Sequence, residues 1–121
     1  NGYLMAEWHF FAAGPSKSND KKRWTTGTEE ERQKIKKSIK VAVDWQKKTG
    51  IYTWVGAWMP GDYNKGDNYS VKEQTGFASF MTQQLDKYGV PFAIVADHHF
   101  YDYKAEQWIP KYKDLLNTIF M

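Results

Sequence analysis

Three short runs rich in β-branched and aromatic residues alternate along this chain with three segments whose apolar residues recur at helical spacing. A strand–helix succession of this kind leads to a parallel sheet with helices on its faces, because parallel strands need a helix-length crossover between them. The first run, Tyr3 to Ala12, is bounded by Gly2 and by Gly14-Pro15. The second, Ile51 to Met59, ends at Pro60-Gly61. The third, Phe92 to Ala96, is nearly all apolar, as expected of a strand buried on both faces.

The helices announce themselves at their ends. Thr28-x-x-Glu31 and Ser70-x-x-Glu73 both match the capping box, in which side chain and backbone satisfy each other's hydrogen bonds at a helix start. Glu29 and Glu30 favour the positive end of the first helix dipole, and Lys47, Lys48 and Gly50 suit its other end. Ile35, Ile39, Ala42 and Val43 line one face of that helix, and Phe77, Met81 and Leu85 one face of the second, which Gly89 caps and Pro91 stops. A last amphipathic segment carries Trp108, Ile109, Tyr112, Leu115, Leu116 and Ile119, with Pro110 in its first turn.

The 121 residues suffice for one core, so 1–121 is read as a single segment. A free three-stranded parallel sheet leaves two long apolar edges, which natural proteins avoid. The edges are therefore expected to be paired by another chain or another copy of this one. The opening on Asn1, almost directly into a strand, is expected of part of something longer, and no basic region followed by an apolar stretch precedes it. No apolar run approaches the roughly 20 residues that span a bilayer. The net charge of +3 resides in lysines set between acids or along one helix face (Lys34, Lys36, Lys37, Lys40), which reads as a solvated face. Neither nucleic acid nor membrane is expected as a partner, and without Cys there is no disulfide or thiolate metal site.

In parallel β/α architectures reactive groups gather at the C-terminal ends of the strands. Those ends carry His9, Phe11, Ala57, Trp58, Asp97, His98 and His99, and period-two alternation places Glu7 on the face of His9. Each also has a plain structural reading: His9 as a satisfied core histidine, Glu7 as an internal ion-pair partner. Two adjacent histidines on a loop are a weak metal signal, and no metal is expected. By the same alternation Trp8 and Trp54 point away from this bowl and pack under helices. Aromatic residues make up 17% of the chain, more than a core alone calls for, and Trp24 and Tyr63 fall in loops where a ring could stack on a sugar.

Taken in order, these segments resemble the last three strand–helix units of glycoside hydrolase family 5, the cellulase family of (β/α)8 barrels. WHFFAAGP resembles the sixth-strand pattern His-x-Tyr, and RWTTGTEEE the helix entry after its loop. TWVGAW resembles the seventh-strand Gly-Glu-Phe or Gly-Glu-Trp pattern, and YGVPFAIVADHHFYDY the eighth strand. WIPKYKDLLNTI resembles the closing helix. The resemblance implies a partial barrel in an α/β chain and a secreted, retaining, endo-β-1,4-glucanase-like activity on plant polysaccharide, with no cofactor.

The departures fall on the chemistry. The family nucleophile is the Glu between Gly and the aromatic, and Ala57 occupies that position between Gly56 and Trp58. Phe11 stands where a tyrosine commonly contacts the nucleophile, and Val95 or Ala96 where the eighth-strand Trp floors the sugar site. His9 is kept. The acid/base Glu follows an Asn on a strand this chain does not contain. Retaining hydrolysis needs two carboxyl groups about 5 Å apart, so the chain is expected to be inactive alone. Several departures together fit natural divergence better than one engineered exchange, and Glu7 is then a candidate relocated carboxylate. Two other readings stay open: a non-catalytic module gripping β-glucan through Trp24, Trp58 and Tyr63, with Phe11, Asp97 and His98 beside them, and a free-standing α/β domain of unrelated function.

Overall fold

Both capping boxes close as the sequence predicts, and they fix where the main helices begin. A computed structural model of the chain describes residues 3–11, 22–61, 69–95 and 97–120, with residues 11, 97 and 98 by backbone alone. Helix α1 (Glu29–Thr49) starts at Thr28, whose hydroxyl accepts from the Glu31 N–H while the Glu31 carboxylate accepts from the Thr28 N–H. That carboxylate also accepts from the Thr25 hydroxyl and the Gly27 N–H. Partial burial opposes its charge, but these hydrogen bonds outweigh it and hold its pKa below the usual value. Helix α2 (Val71–Lys87) repeats the device with Ser70 and Glu73. There the Ser70 N–H and the Lys22 ammonium, 3.0 Å away, lower the pKa of the Glu73 carboxyl.

Strands β1 (Met5–Phe11), β2 (Tyr52–Met59) and β3 (Phe92–Ile94) form one parallel sheet in sequence order. Gln46 ties the end of α1 to the start of β2, its side-chain oxygen accepting from the Thr53 N–H at 2.9 Å. After β3 come a short helix α3 (Asp97–Phe100), an antiparallel hairpin of β4 (Tyr101–Asp102) and β5 (Gln107–Trp108), and a 3-10 turn over Pro110–Tyr112 leading into α4 (Lys113–Phe120). The single amphipathic segment expected from Trp108 onward is therefore split. Asp102 accepts from the N–H groups of Lys104 and Ala105, Glu106 takes a positive φ of 52°, and the Ile109 N–H donates across the hairpin to Phe100. With its N–H groups turned to a cross-strand partner, the chain through Trp108 and Ile109 forms a hairpin; the helical run begins only at Pro110.

One face of the sheet is covered by helices. Phe10, Val55 and Trp58 meet Ile35, Ile39 and Val43 of α1, Phe77, Met81 and Leu85 of α2, and Leu115 and Ile119 of α4 in one apolar cluster. Phe77 is its hub, with ring centroids 6.1 Å from Phe10, 6.0 Å from Trp58 and 5.9 Å from Trp24. The lysines at 34, 36, 37, 40, 47 and 48 are exposed, and Lys34 and Lys40 pair with Glu30 and Asp44 one turn away.

The pairing of β1 with β2 is interrupted once. Trp8 lies beside Val55, yet His9 lies beside Ala57, so β2 carries an extra residue at Gly56. The bulge recurs against β3, where Val55 pairs with Phe92 and Trp58 with Ile94. Because side chains alternate with period two, one added residue moves everything beyond it to the opposite face. Thr53 and Val55 face the helices before the bulge, and Trp58 faces them after it.

Two consequences are measurable. Phe77→Ala removes the hub of the cluster and is expected to lower unfolding free energy by about 3–5 kcal/mol in urea titrations. The depressed pKa of Glu73 means that its contribution is complete above the normal carboxylate range and lost as acid protonates it. Urea midpoints should fall between about pH 6 and about pH 3, and by less in Glu73→Gln than in the parent.

Candidate functional site

The face of the sheet away from the helices is polar at one end. Register sets Glu7 beside Trp54 and His9 beside Ala57, and residues paired across a parallel ladder project to the same side. The Glu7 Oε1 to His9 Nε2 distance is 2.9 Å, and both side chains are about half exposed. A carboxylate only accepts, so in a neutral imidazole this contact assigns the proton to Nε2. The period-two expectation that Glu7 and His9 share a face is met because no bulge lies between them on β1.

Gly56 gives this pair its space. A Cβ there would lie 1.7 Å from Glu7 Oε1 and 2.3 Å from its carboxyl carbon. The Glu7 carboxylate thus rests over bare backbone, one residue from Ala57. The strand ends at which His9 and Ala57 sit are the C-terminal ends, where a β/α scaffold presents its chemistry. The arrangement can accept hydroxyl hydrogen bonds at a carboxylate and exchange a proton at an imidazole. At Ala57 it offers a methyl group, which forms no covalent intermediate.

Several expected site residues are placed elsewhere. Trp58 is 0% exposed and packs against Phe77 and Phe92, because the bulge turned it to the helix side. Trp24 is 5% exposed and lies in the core against Phe77 and Phe80, not on a loop surface. It fits there because Gly27, at φ 79°, leaves room for it: a Cβ would meet the indole ring at 2.6 Å. Neither tryptophan is a sugar platform. Trp54, expected under the helices, shares the face of Glu7 instead, while Trp8 packs against the helix-side core as expected. Tyr63 lies outside the described residues, as do the side chains of Phe11, Asp97 and His98; the backbone of Phe11 pairs with Met59, and Asp97 and His98 open α3. Among the described residues no three His, Cys, Asp or Glu side chains converge as a metal site would require.

Trp54 is the aromatic that period-two reading missed on this face. Its signal was Gly56, since a lone glycine inside a strand pattern marks a bulge or a close approach of another group. Here it marks both.

No family model matches the sequence, and no curated protein matches it. Solved structures do match its fold. An endoglucanase aligns with a TM-score of 0.69 over 97% of this chain, at 17% identity. The cellulose synthase subunit Z of Clostridioides difficile aligns at 0.72 over 95%, with 15% identity. Thermotoga maritima Cel5A in complex with cellobiose aligns at 0.69 over 95%, with 19% identity. A glycoside hydrolase 5 lichenase of Caldicellulosiruptor sp. F32 aligns at 0.67 over 95%, with 17% identity. The fold is that of part of a (β/α)8 barrel, similar to the barrels of these enzymes. This barrel segment spans about 40% of the length of the first of these structures, close to the share that three strand–helix units hold in a barrel of eight.

The contact of Glu7 with Gly56 yields a coupling test. Gly56→Ala should destabilise the chain by about 1–2 kcal/mol, because the new methyl evicts Glu7. In a Glu7→Ala background the same exchange should cost close to nothing, so the double-mutant cycle returns a coupling of about 1 kcal/mol or more. Additive effects would show that the glycine serves the backbone and not the carboxylate.

Proposed function

We propose that this barrel segment forms one wall of the sugar cleft of a β-1,4-glucan-acting barrel and does not cleave glucan by itself. One observation carries the reading. His9 and Ala57 stand side by side at the C-terminal ends of β1 and β2, and the family resemblance makes Ala57 a methyl group at the position of the carboxylate that retaining hydrolysis needs. The acid/base carboxyl of the resembled family belongs to a strand outside these 121 residues. The substrate class is drawn from structural neighbours, among them endoglucanase Cel5A, solved with cellobiose, and a lichenase solved with cellotetraose. A polymer substrate of this kind implies a secreted protein.

The open edges support a complementary partner. Beside β1 and α1 runs a mainly apolar groove of about 240 Å³ lined by Ala6, Trp8, Val41, Ala42 and Trp45, among others. A barrel of eight strands is not a multiple of three, so copies of this segment cannot close one among themselves. Five further strand–helix units, on the same polypeptide or on a partner chain, complete it. No helix among the described residues is long and apolar enough to cross a membrane.

A second reading, a non-catalytic β-glucan grip, is favoured by the same methyl at Ala57 together with Trp54 on the Glu7 face. Reducing-end assays on barley β-glucan separate the two. The chain alone is expected to release none, with Ala57 or with Ala57→Glu, and any turnover by the chain alone overturns the proposal. In the completed barrel, Ala57→Glu should raise cleavage on the order of a hundredfold or more if the acid/base partner is in place. Unchanged reducing ends with retained glucan binding would support the grip.

A further inference from the structure

The hairpin of β4 and β5 carries an aromatic group that the bowl does not use. Tyr101 and Trp108 are cross-strand partners, with ring centroids 5.2 Å apart at 83°, and Tyr103 meets Tyr101 at 5.3 Å and 70°. Tyr103 is 65% exposed and Trp108 45%. In a T-shaped pair each ring keeps at least one face clear of its partner, so Trp108 retains a flat surface that Tyr101 does not cover.

This surface is held rigidly. Below it, Phe100 is buried edge-on against Tyr112, with centroids 4.9 Å apart. The Ile109 N–H donates to the Phe100 carbonyl at 2.8 Å, and Asp102 closes the turn by accepting from Lys104 and Ala105. Beside Trp108 lies a mainly apolar groove of about 360 Å³, to which Lys113 and Asn117 of α4 add an ammonium and an amide. That volume lies within the range of small-ligand sites, about 300–1,000 Å³.

We infer that Trp108, with Tyr101 and Tyr103, is a second glucan-binding platform, separate from His9 and Glu7, on which the flat faces of β-linked glucosyl units stack. The occupant follows from three features. Residues 102–108 of the hairpin are all exposed, and Asp102, Lys104, Glu106 and Gln107 ring the aromatics with polar groups, which suits a ligand that is apolar on its ring face and hydroxylated at its rim. The Tyr hydroxyls and the indole N–H supply hydrogen bonds at the ring edges. The hairpin also lies in the connection leaving the C-terminal end of β3, the same end of the sheet at which β1 and β2 present His9 and Ala57. A chain bound in the bowl could therefore continue onto it. The choice of glucan rests on the function proposed above, whereas the platform itself rests on the hairpin.

Affinity electrophoresis of the 121-residue chain in gels containing barley β-glucan tests the inference, with the thermal midpoint of each variant as a check on folding. Trp108→Ala should weaken binding about tenfold or more and Tyr103→Ala less, while Trp108→Phe keeps most of it. Tyr88→Ala, an exposed aromatic at the C-terminal end of α2, should leave binding unchanged. Retained binding in Trp108→Ala with loss in Trp54→Ala overturns the platform and leaves the cleft reading standing. Absence of binding by the parent chain also overturns the platform, and the reducing-end assay then judges the cleft separately. If Trp108→Ala instead changes only the native mass of the assembly, the surface is a protein seam and the inference fails.

Discussion

The side chain of Phe77 touches three parts of the chain that must be brought together, stacking on Phe10 of β1, tilting against Trp58 of β2 and meeting Trp24 edge-on from the segment before α1. The contact with Trp58 forms only if that ring points at the helices, and it does so because β2 holds one residue more than its neighbours. The bulge at Gly56 and the aromatic hub are thus one structural fact seen from the two faces of the sheet. On the helix side it seats a large ring in the core. On the other side it leaves bare backbone under the Glu7 carboxylate and brings Ala57 alongside His9.

The helices were legible because their signals are local. A capping box lies within four residues and satisfies its own hydrogen bonds, so Thr28 with Glu31 and Ser70 with Glu73 could be read without knowing what packs nearby. Glu7 and His9 were legible for a similar reason, since two residues of uninterrupted strand suffice. The tryptophans were not. Whether Trp54 or Trp58 faces the core depends on a residue count against β1 and β3, which no local pattern on β2 contains, although Gly56 hinted at it. Trp24 sits in a polar stretch and reads as loop, yet a ring finds its place against Gly27 and Phe77. At Trp108 the apolar spacing of the last helix runs on by coincidence into a hairpin whose turn is set by Asp102 and Glu106.

The chemistry of the bowl follows from what the strand ends lack as much as from what they carry. A carboxylate and an imidazole 2.9 Å apart suit the recognition of hydroxyl groups, and the methyl group of Ala57 beside them offers no nucleophile. The aromatic surfaces lie at the open face and on the hairpin, not at the two tryptophans buried beneath the helices. A long ligand lying across several such surfaces would be held more by the sum of its stacking contacts than by any single hydrogen bond.

Parallel pairing has a further consequence for how the molecule assembles. Met5 reaches Tyr52 only across the whole of α1, so the ladder that carries Glu7 and His9 joins residues far apart in sequence. A closure of that length is slow for a loose chain. Helix α1, with both ends capped and acid–lysine pairs along its exposed side, turns much of that connection into a rod. The Glu7–His9 pair therefore depends on a long closure that a helix makes shorter.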